Sequence, residues 1–562
     1  MNKLPVEIVY HITSYLTYSD KLNLSCVCRE WYNLVRTTCL YTHFTIKDTQ
    51  RFDTAISIFK EHPQLCYQAR SLRLTRMNNK FQEILQLPTL FPHLTHLAYQ
   101  SYNRHYDGDL ELSKQDMKLW RRLECYEETN KNPLFMLLLT NVEFPELRKM
   151  KIDFCMKYSH CDDLFRLMKS APNLECFELS FATVNLEMME VLHDNLPSLK
   201  TLILSDIKDA PSNLGLTFET QQQAGTRTDE TSNHQLIDGQ HPISIKPASD
   251  ITNLQITDMM TVNGNHCMPL QWIVYIALKY KEAEHLTIRK RINDNQFMDY
   301  YSTGARYVLS KLQKLDSYDS NVLLLNDASS LLTHLKKVNL SNQIVDQLCY
   351  LTESQHRQSL RHVMIKHQAL IPSVVGHVKH FENLRSLRIE GSSKEQDASI
   401  EFDTILAKLG CLEDLMLSGY DVRLSPKSSR RFYKVFKLRT LILKRVSMTG
   451  SLSTDVSDNV INFISQTCLH LTKITLQGKV MRTHQQLITL NFPEHMLKSM
   501  NVSNIGNRLY KVDNGVSTKW YSFNGQKLEE REKEPFEDSH VSIVHKRTCR
   551  ITLHGTNLPN YF

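Results

Sequence analysis

The sequence predicts an α/β fold with three parts: a small helical unit at the N-terminus, a long solenoid of strand-and-helix repeats, and a β-rich cap at the C-terminus. An apolar pattern at positions one, four and six recurs through most of the chain, and apolar residues at helical spacing lie between its copies. Near residue 502 short strand-like pieces replace both patterns. These observations predict the order of the three parts.

Composition excludes several other classes of protein. The chain has 562 residues with 67 basic and 60 acidic side chains, and a net charge of +7 is too small to indicate nucleic-acid binding over the whole surface. Glycine is scarce, at 16 residues, and no GxGxxG or GxxxxGK[ST] motif occurs, which disfavours nucleotide chemistry. No apolar stretch approaches the roughly 20 residues that a membrane-spanning helix needs. We therefore expect no membrane or nucleic-acid partner.

The cysteines indicate a reducing compartment. All 13 are scattered along the chain, and Lys3, Glu7 and His11 stand where a signal peptide would be apolar. We expect reduced thiols and a location in the cytoplasm and/or nucleus.

Residues 1–40 predict a compact set of helices. Pro5 suits the first turn of a helix, and the apolar residues after it form one stripe: Ile8, Ile12, Tyr15 and Leu16. Ser19 and Asp20 provide a second capping signal, and a second stripe follows: Leu24, Val27, Cys28, Trp31 and Leu34. So short a segment cannot bury two stripes by itself, and the Cys26-x-Cys28 pair lacks nearby histidines for a metal site. We expect a partner surface to cover them.

This segment resembles the F-box in the order and spacing of Leu4-Pro5, Glu7-Ile8, Tyr15-Leu16, Val27-Cys28-Arg29 and Trp31. The resemblance implies docking onto the small Skp adaptor of SCF-type ubiquitin ligases and, through it, onto a cullin-RING core. The positions that it assigns to the adaptor interface or its support are Leu4, Pro5, Ile8, Ile12, Leu16, Leu24, Val27, Cys28 and Trp31. The alternative is that these residues only pack the N-terminal end of the repeats.

Residues 41–502 contain about sixteen copies of the pattern Lxx-L-x-L, with starts mostly 23 to 33 residues apart. The clearest copies begin at Leu174, Leu199, Leu335, Leu384, Leu412, Leu438 and Leu471, and weaker ones at Tyr41, Ala69, Leu94, Leu147, Ile251, Ala283, Leu312, Leu360 and Leu497. Helical stretches lie between them, as at Leu186, Met189, Leu192 and Leu196. The pattern resembles the leucine-rich-repeat family, which implies an irregular horseshoe solenoid with a parallel sheet. Most copies lack the family's asparagine or cysteine, which Cys155 provides in one repeat.

Two gaps and the C-terminus depart from the pattern. The gap between 94 and 147 predicts a degenerate repeat near Leu119 and Leu123. The polar segment 208–247 is predicted to be a loop or disordered insertion. In residues 503–562, Asn-Gly pairs at 514–515 and 524–525 predict hairpins, so we expect a β-rich cap over the end of the solenoid.

The sequence offers little for catalysis or metal binding. His93 with His96 and His377 with His380 have helical ligand spacing, but neither pair has a completing cysteine or carboxylate nearby in sequence. No C-x-x-C, H-E-x-x-H or G-x-S-x-G motif occurs. We expect no metal, no cofactor and no enzyme active site.

Alternate residues of the repeat strands should face away from the core, and among them basic side chains outnumber acidic ones. One hypothesis places an acidic or phosphorylated protein segment along a row of cations: Arg289, Lys314, Lys337, Lys366 and Arg388. The alternative is an ordinary solvated sheet surface.

These elements predict the substrate-recognition subunit of an SCF-type ubiquitin ligase, in which the F-box holds the adaptor and the repeats hold the protein to be ubiquitinated. Two alternatives remain open. One is an F-box/leucine-rich-repeat scaffold that does not direct degradation, and the other is a receptor for a small anionic ligand.

Overall fold

The structure is a computed structural model. It describes residues 8, 13, 15–16, 18–35, 42–77, 80–101, 113–212, 245–248, 250–261, 268–290, 312, 314–320, 335–341, 344–354, 356–367, 371–391, 399–425, 435–446, 460–478, 488–492, 495–503, 509–514, 517–524, 527–531, 541–545 and 550–558. The chain divides into two compact units: the first unit comprises residues 1–297 with 311–313, and the second unit comprises 298–310 with 314–562.

A parallel sheet, the first sheet, runs through the first unit. Its strands, each paired with the next, are His43–Ile46, Ser71–Leu74, His96–Gln100, Cys125–Thr129, Lys149–Asp153, Cys176–Ser180, Thr201–Ser205, Asn253–Thr257 and His285–Arg289. Burial alternates along each strand, as at Phe177 and Leu179, which are buried, while Glu178 between them is not. Positions one, four and six of each repeat are called inward, and the strand positions that alternate with them are called outward.

The second unit repeats this arrangement in a second sheet. Its parallel strands are Ser317–Ser320, Lys337–Leu340, His362–His367, Ser386–Gly391, Asp414–Ser418, Thr440–Lys444, Lys473–Gln477, Ser499–Ser503 and Arg550–Leu553. A short strand, Thr556–Asn557, closes the end by pairing antiparallel with Arg550–Leu553. The α/β repeat fold predicted from the sequence is confirmed in both units.

Two of the described helices precede the first strand, and the others lie between strands as the apolar periods predict. Their bounds are Tyr18–Ser25, Arg29–Val35, Thr49–Glu61, Pro63–Cys66, Phe81–Leu85, Leu87–Leu90, Lys114–Trp120, Phe135–Asn141, Asp162–Leu167, Leu186–Asn195, Leu270–Lys279, Ile344–Glu353, His356–Ser359, Ile371–Val378, Phe402–Lys408 and Val460–Thr467, with a 3-10 turn at Met168–Ser170. The helix Leu186–Asn195 starts where the Asn185 side chain accepts a hydrogen bond from the Met188 N–H at 2.9 Å. None of the helices described is long and apolar enough to cross a bilayer.

A left-handed residue follows many of the strands. Seven positions after the repeat start, φ lies between +51° and +57° at Phe181, Asp206, Asp258, Arg76 and Arg445, and glycines take the same place at 419 and 478. The N–H groups of Phe181, Asp206 and Asp258 donate to the last carbonyl of the next strand, at 3.1, 2.8 and 2.9 Å. A backbone hydrogen bond therefore joins one repeat to the next beyond the end of these strands.

Polar residues occupy an inward position in two of the repeats. The degenerate repeat near Leu123 is confirmed as the strand Cys125–Thr129, but its third inward residue is Glu128 rather than an apolar one. The copy placed at Leu312 starts instead at Leu315, because Tyr318 and Ser320 align with Val338 and Leu340 of the next strand. The predicted start at Leu312 was wrong by three residues.

The C-terminal boundary at 502 was also wrong. The predicted hairpins do form, since Leu509–Asp513 pairs antiparallel with Thr518–Phe523 and that strand with Leu528–Arg531. The small sheet also contains Val541–His545 and, from before the boundary, Ile488–Phe492. The strand Arg550–Leu553 then returns to the second sheet. The repeats and the β-rich part therefore interleave along the sequence.

The segment 208–247 is only partly an insertion. Lys208–Asp209 forms a short strand that pairs with Ala182–Val184. Ala182–Val184 pairs on its other side with Ser159–His160. Asp209 is buried and accepts a hydrogen bond from the Trp272 indole N–H at 2.8 Å. Residues 213–244 of the predicted insertion lie outside the described residues. The first residues of the predicted loop thus belong to the core.

Candidate functional site

Two short helices form the described N-terminal segment. Tyr18–Ser25 ends in a turn in which the Val27 N–H donates to the Leu24 carbonyl at 3.2 Å, and Arg29–Val35 then begins. The Ser25 hydroxyl donates to the Leu22 carbonyl at 2.6 Å, in the last turn of the first helix. The second predicted stripe is therefore divided between two helices instead of following one.

This segment exposes apolar side chains to an unusual degree. Among the described residues, eleven large apolar side chains are exposed, and five of them fall within residues 8–35: Ile8, Tyr15, Leu22, Val27 and Tyr32. Tyr15 is 76% and Val27 66% exposed. A concentration of this kind is typical of a surface that takes part in protein interactions.

The predicted adaptor residues fall into three groups. Ile8, Val27 and Cys28 are exposed, and Leu16, Leu24 and Trp31 are half-buried, as supporting residues would be. Leu4, Pro5 and Ile12 lie outside the described residues. Sequence reasoning missed Tyr15, Leu22 and Tyr32 as exposed members, although helical spacing already placed Tyr15 in the first stripe.

The outward residues of the second sheet form three lines across the strands. The leading line includes Lys337, His362, Ser386, Asp414, Thr440 and Lys473. The middle line includes Asn339, Met364, Arg388, Met416, Ile442 and Thr475. The trailing line includes Lys366, Glu390, Ser418, Lys444 and Gln477.

The predicted row of cations is not a single row. Lys337 lies in the leading line, Arg388 in the middle line and Lys366 in the trailing line, directly beside Glu390. Lys314 precedes its strand, because that repeat starts at Leu315. Arg289 ends the last strand of the first sheet. The register therefore places Lys337, Lys366 and Arg388 in three different lines of the second sheet, so these three cations do not form one straight row.

The first sheet neutralises its own outward charges. Glu178 accepts from Lys149 at 3.2 Å and from Lys151 at 3.0 Å, and Glu127 lies 3.5 Å from Arg73. Burial acts to raise the pKa of Glu178, but the two ammonium groups outweigh it and lower that pKa below its usual value. These charges already have partners within the chain.

The histidine pairs show no metal geometry. His96 Nδ1 lies 2.8 Å from the Thr95 hydroxyl, and His377 Nε2 lies 3.4 Å from the Cys349 thiol. Within the ranges that the structure describes, no group of three or more histidine, cysteine or acidic side chains has an arrangement that could hold a metal ion. We therefore derive no chemistry from these pairs.

Comparison with known proteins identifies the N-terminal segment. Residues 1–47 match the F-box-like family. Among solved structures, the TLR13–ssRNA13 complex is similar over 79% of this chain and 58% of the TLR13 chain, at 14% identity and a TM-score of 0.39. The leucine-rich-repeat protein LIC12759 of Leptospira interrogans is similar over 79% of this chain and 92% of its own, at 12% identity and a TM-score of 0.32. At these TM-scores neither likeness bears on function. No curated protein matches the chain in sequence.

The chain thus carries an F-box-like domain ahead of strand-and-helix repeats of the leucine-rich type.

Proposed function

We propose that this protein is the substrate-recognition subunit of an SCF-type ubiquitin ligase. Its F-box-like domain docks on a Skp adaptor, which joins it to a cullin-RING core, and its repeats bind the protein to be ubiquitinated. The observation that carries the proposal is the apolar surface of residues 8–35 in a segment that matches the F-box-like family. Such a surface needs a protein partner to remove it from water.

In this proposal the protein has no catalytic step of its own. It holds a substrate near the ubiquitin-charged enzyme and so raises the local concentration of the substrate's lysines. It works in the cytoplasm and/or nucleus, where its thiols stay reduced. A scaffold that binds the adaptor without directing degradation would use the same N-terminal surface.

Adaptor docking is tested by charge placed on the exposed apolar surface. Ile8→Asp with Val27→Asp should abolish co-purification with a recombinant Skp adaptor, because losing buried interface anchors commonly costs about 2 to 4 kcal/mol, or roughly thirty-fold to nearly a thousand-fold in affinity. Leu4→Ala, Pro5→Ala and Trp31→Ala together should have the same effect.

The matched control is Met156→Asp, since Met156 is an exposed apolar side chain of the same unit, far along the sequence from the F-box-like domain. It should bind the adaptor like wild type. Unchanged adaptor binding by the Ile8/Val27 variant would refute the docking.

A second experiment separates a ligase subunit from a scaffold. A ligase subunit should co-purify with a cullin and its RING protein, and its bound partner should accumulate in cells when residues 1–47 are deleted. Adaptor binding with no change in the abundance of any partner would favour the scaffold.

A further inference from the structure

The middle line of the second sheet contains three apolar side chains and one exposed cation. Met364, Arg388, Met416 and Ile442 occupy directly paired positions on four neighbouring strands. Arg388 is exposed and Met364 and Ile442 are half-buried, while Met416 is 9% exposed. With strands ~4.8 Å apart, the line from Met364 to Ile442 is about 14 Å long. We call these four residues the Met-Arg line.

The surroundings of the Met-Arg line are positively charged. On the same strands and the next one, the outward cations besides Arg388 are Lys366, Lys444 and Lys473, and the outward carboxylates are Glu390 and Asp414. Within the described part of the second unit, Arg388, Lys366 and Lys444 form no ion pair. These cations are available to an acidic ligand, unlike Lys149 and Lys151 of the first sheet, which share Glu178.

We propose that the Met-Arg line binds an extended segment of the substrate protein with apolar side chains at positions i and i+4 and a carboxylate at i+2. This proposal rests on the proposed function. In an extended chain, side chains on one side repeat every ~6.7 Å, so i and i+4 are about 13.5 Å apart, close to the distance from Met364 to Ile442. The side chain at i+2 then lies over Arg388 and Met416.

The chemistry of the line selects this occupant. The apolar side chains at i and i+4 remove the thioether of Met364 and the side chain of Ile442 from water. The carboxylate at i+2 accepts from the Arg388 guanidinium, and Lys366 and Lys444 favour an acidic segment on one flank. A basic segment would meet uncompensated like charges.

The test uses fluorescein-labelled synthetic peptides with the core Leu-Ser-Glu-Ser-Leu, flanked by serine, and fluorescence anisotropy of the full-length protein. Companion peptides replace the central glutamate by lysine or phosphoserine. Wild type should bind the glutamate peptide roughly ten-fold or more tightly than the lysine peptide. Arg388→Glu should remove or reverse this preference, and Met364→Ser with Ile442→Ser should weaken binding of the glutamate peptide by about ten-fold.

The matched control is Lys151→Glu, which alters the corresponding outward line of the first sheet and should leave peptide binding unchanged. Equal binding of the glutamate and lysine peptides by wild type, or a preference that survives Arg388→Glu, overturns the proposal. Binding of the phosphoserine peptide more than ten-fold tighter than the glutamate peptide overturns the assignment to a carboxylate.

Adaptor binding is measured on the same variants, so that the two proposals fail separately. Arg388→Glu should bind the Skp adaptor like wild type. If wild type does not bind the Skp adaptor, the proposed function is refuted. The peptide preference still decides whether the Met-Arg line binds an acidic segment.

Discussion

The two sheets share one backbone plan but differ on their outward surfaces. In the first sheet the middle line carries Arg73, Glu127, Lys151 and Glu178, which are joined into ion pairs within the sheet. In the second sheet the corresponding line carries methionine and isoleucine around a single arginine. The inward positions satisfy the same packing requirement in both units, so the fold leaves the outward positions free to differ. Differences in function between repeats are therefore to be sought on the outward side.

The largest effect should come from the inward positions, where the two sheets are alike. Leu415→Ala in the second unit and Leu202→Ala in the first both truncate residues at most 1% exposed, and each should lower the free energy of unfolding by about 2 to 5 kcal/mol. Denaturant titration of both variants measures this. A cost below 1 kcal/mol at either site would show that its sheet is not packed as a repeat core.

Glu128 should make the stability of the first unit depend on pH. This carboxylate accepts hydrogen bonds from the Leu134 and Phe135 N–H groups, at 2.7 and 3.0 Å, and from the Tyr126 hydroxyl at 2.8 Å. Burial outweighs these bonds and raises the pKa of Glu128 to about 7. In the unfolded chain the group keeps its ordinary pKa near 4.5. The folded protein therefore binds a proton that the unfolded chain does not between these two pH values.

Stability from this group should thus be greatest below pH 4.5 and be lost as the pH rises through 7. Relative to Glu128→Gln, wild type should gain up to about 3 kcal/mol as the pH falls from 8 to 4.5, measured by denaturant titration at each pH. Glu128→Leu restores the repeat pattern but leaves the two N–H groups without an acceptor, so it should destabilise the protein at every pH. A stability difference between wild type and Glu128→Gln that is independent of pH would contradict the prediction.

Glu128 also shows why parts of the fold could not be predicted from the sequence. A polar residue at the third inward position weakened the pattern of the repeat at Leu123 and hid the correct start at Leu315; it is Glu128 in the first and Ser320 in the second. A search for apolar patterns cannot find a core position whose polar group is satisfied by local hydrogen bonds. The strand Arg550–Leu553 was assigned to the cap and not to the repeats for a similar reason, since Thr548 stands where its repeat would start with an apolar residue.

The candidate sites were predictable to different extents. The apolar stripes of residues 8–35 follow from helical spacing, which depends only on neighbours in sequence. The Met-Arg line depends on the alignment of neighbouring repeats, and each of its members lies four residues after a predicted start: Leu360, Leu384, Leu412 and Leu438. The predicted cation row failed because Lys337, Arg388 and Lys366 take different positions in their strands.

A further contrast lies within the segment 208–247 of the first unit. Deleting 213–244, which is polar in sequence, should change the melting temperature little. Asp209→Ala should cost about 1 to 3 kcal/mol, because the buried Trp272 N–H loses its acceptor. Calorimetry of both variants measures the difference. A larger loss from the deletion than from the substitution would show that residues 213–244 belong to the repeat core.

The smallest effect should come from the outward ion pairs. Glu178→Gln should cost at most about 1 kcal/mol, and less at high salt, because Lys149 and Lys151 are partly exposed. Arg388→Gln should leave stability unchanged, since Arg388 is exposed and forms no ion pair within the described residues. The melting temperatures of the Glu178→Gln and Arg388→Gln variants, measured at low and high salt, distinguish these two effects. A stability loss from Arg388→Gln equal to that from Glu178→Gln would remove the contrast between the two surfaces.

The left-handed residue after many of the strands has a consequence for how such a chain tolerates mutation. The N–H group, not the side chain, makes the hydrogen bond to the following repeat at Phe181, Asp206, Asp258, Gly419, Arg445 and Gly478, so four different residue types occupy this place. Substitution there changes the backbone preference by about 1 kcal/mol but leaves the bond itself in place. Neighbouring repeats can therefore diverge in sequence without losing their alignment, which explains how an array with almost no asparagine ladder keeps its register.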